Sequence, residues 1–347
     1  MNLTVAASGK KRSLVSHNGN CMDLEMLHER ARIIRQVRLF FDGKNYLEVD
    51  TPLLSPNLIP ESCLEVFQTS RIMPGKISGG AAPSEAYWLI PSPEIWMKKL
   101  IAQHRANMYQ ICKCFRNGES VGHLHNPEFT MLEYYTMDAD YMDSLALTQE
   151  LFAGLMPNFA GFERITVAEA FGRWAGFDLF DAAENGRLET EARRLGIEPA
   201  PHLSTAALYD LIFIHAVEPN LNSLGLVALI DYPAFVPCLA KKNGKTVERW
   251  ELYGAGIELA NCFSEETDPA QVRAFFESEA AEKEKSALVR HAVDADYWKI
   301  FTGENKGKPL GFPRCSGVAL GLDRLIMLLT GRSSIDAVLP AARLLWV

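Results

Sequence analysis

No stretch of this sequence comes near the roughly 20 consecutive apolar residues of a membrane-spanning helix, so no passage through a bilayer is expected. The early cluster Lys10-Lys11-Arg12 is not followed by an apolar run. That excludes a secretory signal and leaves residues 1–23 as a flexible tail. No cysteine pair has C-x-x-C spacing. Cys112 and Cys114 are too close for a zinc knuckle and are expected on opposite faces of one strand. The seven cysteines are an odd number, which reads as the reduced thiols of a cytoplasmic protein. A basic surplus is also lacking: 35 Lys and Arg stand against 43 Asp and Glu, a net charge of −8. A chain that grips nucleic-acid phosphates usually has the opposite balance, although a local basic patch is compatible with an acidic whole. Internal repeats and low-complexity segments are absent too. What remains is a chain of 347 residues, 48% hydrophobic and 22% charged, ample for a large core.

Along the chain, Leu27, Ala31, Ile34, Val37 and Phe41 recur at three- and four-residue steps and predict an amphipathic helix from Asp23 to Asp42. Gly43-Lys44-Asn45 ends it. A short strand over Tyr46 to Val49 leads to Thr51-Pro52, an extended turn. Strands are expected over Tyr87–Ile90, Met108–Cys112 and Phe129–Tyr135, with a helix starting at Pro93 and another over Tyr141–Leu155. Residues 160–225 mix helical pieces with prolines and resemble an insertion between two halves of one sheet. Beyond it come a strand over Leu226–Ile230, a turn at Asn243-Gly244 and strands over Arg249–Tyr253 and Gly256–Phe263. A charged helix follows over Pro269–Leu288, and Gly317–Gly321 feeds a last apolar helix. Hairpin-linked strands outnumber crossover helices, so the expected fold class is α+β, an antiparallel sheet flanked by helices.

Three segments carry residue types with chemical use. Alternation along the strand places Phe129, Met131, Glu133 and Tyr135 on one face, a combination suited to a flat ring plus a cation. An ordinary core strand with one exposed acid would look the same. Arg116, in Phe115-Arg116-Asn117, can present its fork to a phosphate. Arg324 follows Gly317 and Gly321 and sits near a helix start, where the backbone dipole favours anions; a plain strand-to-helix turn is the other reading. Glu251, Glu258 and Glu265 lie on or beside apolar strands, where a carboxylate needs a cation. Magnesium bridging to phosphates would serve two of them, and a substrate ammonium the remaining one. Simple alternation separates Glu258 from Asn261, so a bulge or turn must intervene if both serve one site.

Taken together, these segments resemble the three signature motifs of class II aminoacyl-tRNA synthetases, in order and at plausible spacing. The helix and strand ending at Pro52 match the first, which in that class builds a homodimer interface. Phe115-Arg116-Asn117 through Glu133 match the second and Gly317 through Arg324 the third. His125–Tyr135 and Glu251–Asp268 look like the lysyl branch, and the similarity covers about residues 24–335, weakest between about 160 and 225. The resemblance implies ATP as substrate. Arg116 would hold the α-phosphate and the substrate carboxylate. Phe129 would stack on adenine, with Arg324 on its other side and His125 near the triphosphate tail. It also implies Mg2+ on Glu251 and Glu258, and an amino-acid pocket lined by Glu94, Glu133, Tyr135, Asn261 and Glu265. Catalysis would rest on Arg116, the metal and Arg324.

Only about 24 residues precede the first helix, too few for a five-stranded anticodon-binding barrel. The chain therefore resembles the free-standing elongation factor P (R)-β-lysine ligase family. That family transfers the activated amino acid to a lysine side chain of elongation factor P, so tRNA is not expected as acceptor. Ala319 stands where lysyl-tRNA synthetases carry glycine, which points the same way. A truncated lysyl-tRNA synthetase, a ligase for a tRNA-like substrate and a catalytically silent regulatory paralogue are the alternatives. Four departures from the pattern stand out. The segment between Asn117 and His125 is one residue longer than the family pattern. Gly118 takes the usual acid position and leaves Glu119 as the candidate for the adenine edge. Residues 302–308 look inserted, and the tail Pro340–Val347 is apolar rather than basic. The expected organisation is the 1–23 tail and one catalytic domain over 24–347.

Overall fold

The computed structural model describes residues 24–73, 84–118, 122–305 and 308–340. Helix α1 (Leu24–Gly43) leads into strands β1 (Leu47–Glu48), β2 (Leu54–Ser55), β3 (Gln68–Ile72) and β4 (Ser84–Leu89). Then come α2 (Glu94–His104), β5 (Met108–Phe115), β6 (Glu128–Met137) and α3 (Tyr141–Leu155). Strand β7 (Glu163–Thr166) opens a run of short helices, α4 (Val167–Ala170), α5 (Leu179–Glu184), α6 (Leu188–Arg194), α7 (Thr205–Ile212) and α8 (Glu218–Leu221). The chain returns through β8 (Leu226–Pro233), β9 (Lys242–Asn243), β10 (Thr246–Gly254) and β11 (Ile257–Ser264) to α9 (Pro269–Ser286). It finishes with β12 (Glu304–Asn305), β13 (Lys308–Pro309), β14 (Cys315–Gly321) and α10 (Leu322–Thr330).

A nine-stranded sheet runs β1-β5-β6-β14-β11-β10-β8-β7, with β9 hydrogen-bonded to β10. Only β1 with β5 and β7 with β8 pair in parallel; every other pair in this sheet is antiparallel. The expected antiparallel sheet flanked by helices is therefore the observed architecture. Side chains alternate across a strand, so the register assigns whole rows to one face or the other. Ala228, Leu252, Ala260, Leu320, Leu132 and Ile111 form one row. That row packs into the main apolar cluster with residues of α1, α3 and α10, among them Val37, Phe152 and Ile326. The adjacent row, one residue along each strand, faces away from these helices and is largely polar.

Two expectations need correcting. The buried stripe of α1 is Met26, Arg30, Ile33, Val37 and Phe41, one position off the periodicity expected at the start of the helix. Leu27 is exposed. Arg30 is buried and pairs with Asp323 at 2.7 Å. Cys112 and Cys114, two apart on β5, share one face and their sulfurs lie 3.9 Å apart, as a side-chain period of two requires. The short helices α4 to α8 bury a second apolar cluster of their own, built on Phe171, Tyr209, Ile212 and Val217 against β8.

Candidate active site

The polar row consists of Glu251, Asn261, Ala319, Glu133 and Gln110, side by side on β10, β11, β14, β6 and β5. Between Leu252 and Tyr253 the register slips: Leu252 opposes Ala260 while Tyr253 opposes Glu258. Leu259 is thus the extra residue of a β-bulge. That bulge resolves the parity conflict in the sequence, since Glu258 and Asn261 now both line the same cavity.

The cavity has a volume of about 470 Å³. Arg116, His125, Phe129, Glu251, Glu258, Asn261, Ala319, Arg324 and Glu94 all lie on its wall, so the second and third motif segments and the acidic strands β10 and β11 converge on one place. Glu119 lies outside the described residues. The Arg116 guanidinium sits 5.2 Å from the Phe129 ring centroid, a cation–π contact that orients both groups. Arg324, in the first turn of α10, donates to the Glu258 carbonyl at 2.8 Å and to His125 Nε2 at 3.0 Å. These contacts aim two guanidinium groups and an imidazole into a single cleft, an arrangement able to hold a polyphosphate.

Glu133, Tyr135 and Glu265 are not on the open wall. Their strand parity is as expected, but they are almost fully buried just beneath it, because the start of α2 covers them. Ser92 Oγ donates to Glu133 at 2.6 Å and the Tyr135 hydroxyl donates to its other oxygen at 2.7 Å. Gly317 makes this layer feasible: a Cβ there would stand 2.6 Å from Tyr135 Cε1 and 2.9 Å from Glu265 Oε1. Lys98, fully buried, inserts its ammonium between Glu94 at 2.5 Å and Glu265 at 2.6 Å. Glu265 Oε1, the oxygen away from Lys98, has no hydrogen-bond partner among the described residues, so an incoming donor meets a ready acceptor.

Electrostatics follow from this crowding. Burial, with the Glu94 charge second, pushes Glu133 up to about 7. Burial likewise pushes Glu265 up to about 8, against the stabilising pull of Lys98. With all three acids ionised, Glu94, Glu133 and Glu265 face one ammonium. Two negative charges are left over, which is the complement of a ligand bearing two ammonium groups.

Glu251 is held by three donors: Arg249 on one oxygen, and the Tyr232 (2.6 Å) and Tyr253 (2.7 Å) hydroxyls on the other. Burial and then the Glu251 charge push Glu258 up, which means that the two carboxylates feel each other. A divalent cation between them would relieve that repulsion. Among the described residues no three His, Cys, Asp or Glu side chains cage a metal. The donor pair fits Mg2+, which takes one or two carboxylates and completes its shell with phosphate and water.

Three site residues escaped the sequence reading. Lys98 lies four residues after Glu94, a helical ion-pair spacing that was a usable signal. Arg249 shares the parity of Glu251 on β10, donates to Asn261 at 3.0 Å and lies over the Tyr232 ring at 4.5 Å. Burial works against its charge, but Glu251 beside it raises its pKa overall. Glu61, on the β2–β3 connection, also lines the cavity, and nothing local in the sequence marked it.

A family model of class II tRNA synthetases (D, K and N) matches residues 10–343. A Vibrio cholerae protein named elongation factor P–(R)-β-lysine ligase is 37% identical over 322 residues, covering 91% of this chain and 94% of that protein. The Pasteurella multocida protein of the same name is 34% identical over 319 residues, with the same coverage of 91% and 94%. A third relative so named, from Vibrio atlanticus, is 35% identical over 326 residues.

Proposed function

The chain belongs to the class II tRNA synthetase family and, within it, to the elongation factor P–(R)-β-lysine ligases, and on that premise we propose the following reaction. It uses ATP to convert (R)-β-lysine, or lysine, into the aminoacyl-adenylate and transfers that group to a lysine side chain of elongation factor P. The observation that carries the substrate assignment is the layer of Glu94, Glu133 and Glu265 around a single Lys98. Two unbalanced negative charges in a buried site call for two ammonium groups. Ala319, between Asn261 and Glu133 in the sheet, puts a methyl group where glycine would leave space. An amino group moved from the α to the β carbon suits that narrower wall.

The substrate carboxylate attacks the α-phosphorus in line and pyrophosphate departs, so no covalent bond to the enzyme is needed. Arg116 holds the α-phosphate and the attacking carboxylate, neutralising both as they meet. Phe129 offers its ring to adenine, and Arg324 with His125 holds the far phosphates. Glu119 would meet the adenine edge. Mg2+ on Glu251 and Glu258, when bound, neutralises charge on the phosphates. Arg249 and the two tyrosines keep Glu251 aimed at that task. A second copy of the chain completes a homodimer through the outer face of α1 and β1, the protein works in the cytoplasm, and residues 24–347 act as one catalytic domain.

Amino-acid-dependent pyrophosphate exchange with lysine, (R)-β-lysine and ornithine tests activation, and incubation of the charged enzyme with elongation factor P or bulk tRNA tests the acceptor. Exchange and labelled elongation factor P are expected. No exchange with any amino acid would mean a catalytically silent paralogue. Charging of tRNA without protein labelling would mean a truncated synthetase. Arg116→Ala is expected to abolish exchange, and an unchanged rate would remove that residue from the mechanism.

A further inference from the structure

The carboxylates lining the cavity are, with one exception, committed to partners. Glu94 holds Lys98, and Glu251 accepts from Arg249 and two tyrosines. Asp323 faces Arg30 and accepts from the Thr130 amide, while Glu258 lies 3.8 Å from Arg324. Glu279 accepts from the Ser62 amide at 2.9 Å. The Glu61 carboxylate alone has no hydrogen bond or ion pair among the described residues, although it too lines the cavity.

Its backbone is nevertheless firmly held. Lys283 of α9 donates to the Glu61 carbonyl at 2.9 Å and also to that of Leu64, and the Leu64 amide closes a turn onto Glu61 at 3.2 Å. Leu58, Ile59 and Val66 anchor the flanks in the core. The carboxylate is thus a free group on a fixed support. Glu94 of α2, Arg116 at the end of β5, and Glu279 and Lys283 of α9 face it. Among them Arg116 is the residue assigned above to the α-phosphate and Glu94 belongs to the ammonium layer, so Glu61 borders both the phosphate side and the amino-acid side of the cavity, which meet at the reacting carbonyl.

Transfer to a lysine side chain needs a base. An alkylammonium titrates near 10.4, so it arrives protonated and without a nucleophilic lone pair. We propose that Glu61 is the general base that deprotonates the acceptor amine in the transfer step. This inference rests on the reading that the acceptor is a lysine side chain. The Glu61 carboxylate takes one proton from the ammonium. The freed lone pair forms the C–N bond, and the bond from carbonyl carbon to phosphate oxygen breaks, its electron pair leaving with AMP. The nitrogen's second proton goes to the departing phosphate as the tetrahedral intermediate collapses, and Glu61 returns its proton to water. Burial, reinforced by the Glu94 charge, pushes Glu61 up to about 7, near the optimum for a base at neutral pH.

Glu61→Gln separates this role from activation. Preformed adenylate on the enzyme is offered elongation factor P, N-acetyl-lysinamide or hydroxylamine, and exchange is measured in parallel. With either lysine acceptor, transfer is expected to fall by about 100-fold or more relative to wild type, far beyond any fall in exchange. Hydroxylamine, already neutral at pH 7, should react at close to the wild-type rate, and Glu61→Asp should restore part of the lysine rate. Equal losses in exchange and transfer, equal losses with hydroxylamine and lysine, or undiminished lysine transfer each overturn the assignment. If wild-type enzyme modifies N-acetyl-lysinamide but not elongation factor P, the acceptor reading fails instead, and the N-acetyl-lysinamide and hydroxylamine rates still decide for or against Glu61.

Discussion

Lys98 sets the charge of the amino-acid site from a position where no solvent can replace it. Removing one partner of a buried ion pair leaves the other uncompensated, which typically costs about 3–5 kcal/mol. Lys98→Met is therefore expected to destabilise the free protein by that order, read from urea unfolding, and saturating lysine should recover part of the loss because its ammonium groups replace the missing charge. Gly317→Ala acts in the same layer. Its new methyl would meet Tyr135 and Glu265 at 2.6 and 2.9 Å, and such overpacking costs about 1–3 kcal/mol. If the clash is borne by the substrate site, KM for the amino acid rises roughly 10-fold or more while KM for ATP stays constant; equal changes in both would show a general distortion. The pH dependence has a definite sign. Glu265 and Glu133, raised to about 8 and about 7, hold substrate ammonium groups only when ionised. Accordingly kcat/KM for the amino acid in exchange should fall as pH drops below about 8 and fall again below about 7. A profile flat down to pH 6 would contradict the ammonium-binding role.

Helix α1, strand β6 and helix α10 are joined by one buried cluster. Arg30 pairs with Asp323, donates to Thr130 Oγ1 at 2.9 Å and to the Val338 carbonyl at 3.0 Å, and Asp323 accepts from the Thr130 amide at 2.6 Å. Thr130 adjoins Phe129 and Asp323 adjoins Arg324, so the cluster fixes the phosphate-facing residues of two separate elements relative to each other. Arg30→Met keeps the volume of the stem but orphans Asp323. Unfolding free energy should fall by about 3–5 kcal/mol, and KM for ATP should rise because the two elements lose their common anchor. A variant as stable as wild type in urea would show that the Arg30–Asp323 pair does not hold these elements together.

At the scale of the whole molecule, several leucines of the first helix and the first two strands are uncovered. Leu24, Leu27 and Leu39 of α1, Leu47 of β1 and Leu54 of β2 are all substantially exposed. Where exposed apolar side chains gather they mark contact surfaces. If α1 and β1 form the homodimer interface proposed above, Leu39→Glu combined with Leu47→Glu should shift sedimentation from dimer towards monomer. An unchanged dimer would place the interface elsewhere. The extra apolar cluster of α4 to α8 packs against β8, and none of the residues of these helices lines the cavity.

Much of this architecture was legible in the chain because the signals are local. The helix over Tyr141–Leu155 and the strand parity that puts Phe129, Met131, Glu133 and Tyr135 together depend on side-chain periodicity alone. The arginines at 116 and 324 stand in recognisable motifs, and the cavity wall contains both. What could not be read there depends on residues far apart in sequence. Arg30 looks like a surface arginine until Asp323, 293 positions later, is brought against it, and Lys98 becomes a buried counter-ion only when Glu265 closes over it. The bulge at Leu259 needs the partner strand to be visible at all. The sequence alone therefore determined the long helices, most strands of the central sheet, their order and the chemistry of the motifs, since these follow from spacing and residue type. Strands β3 and β7 and the short helices α4 to α8 were not read from it. Only the tertiary structure decided which carboxylates are neutralised, which lie beneath the wall and which one is left free, because burial and charge are properties of the assembled neighbourhood.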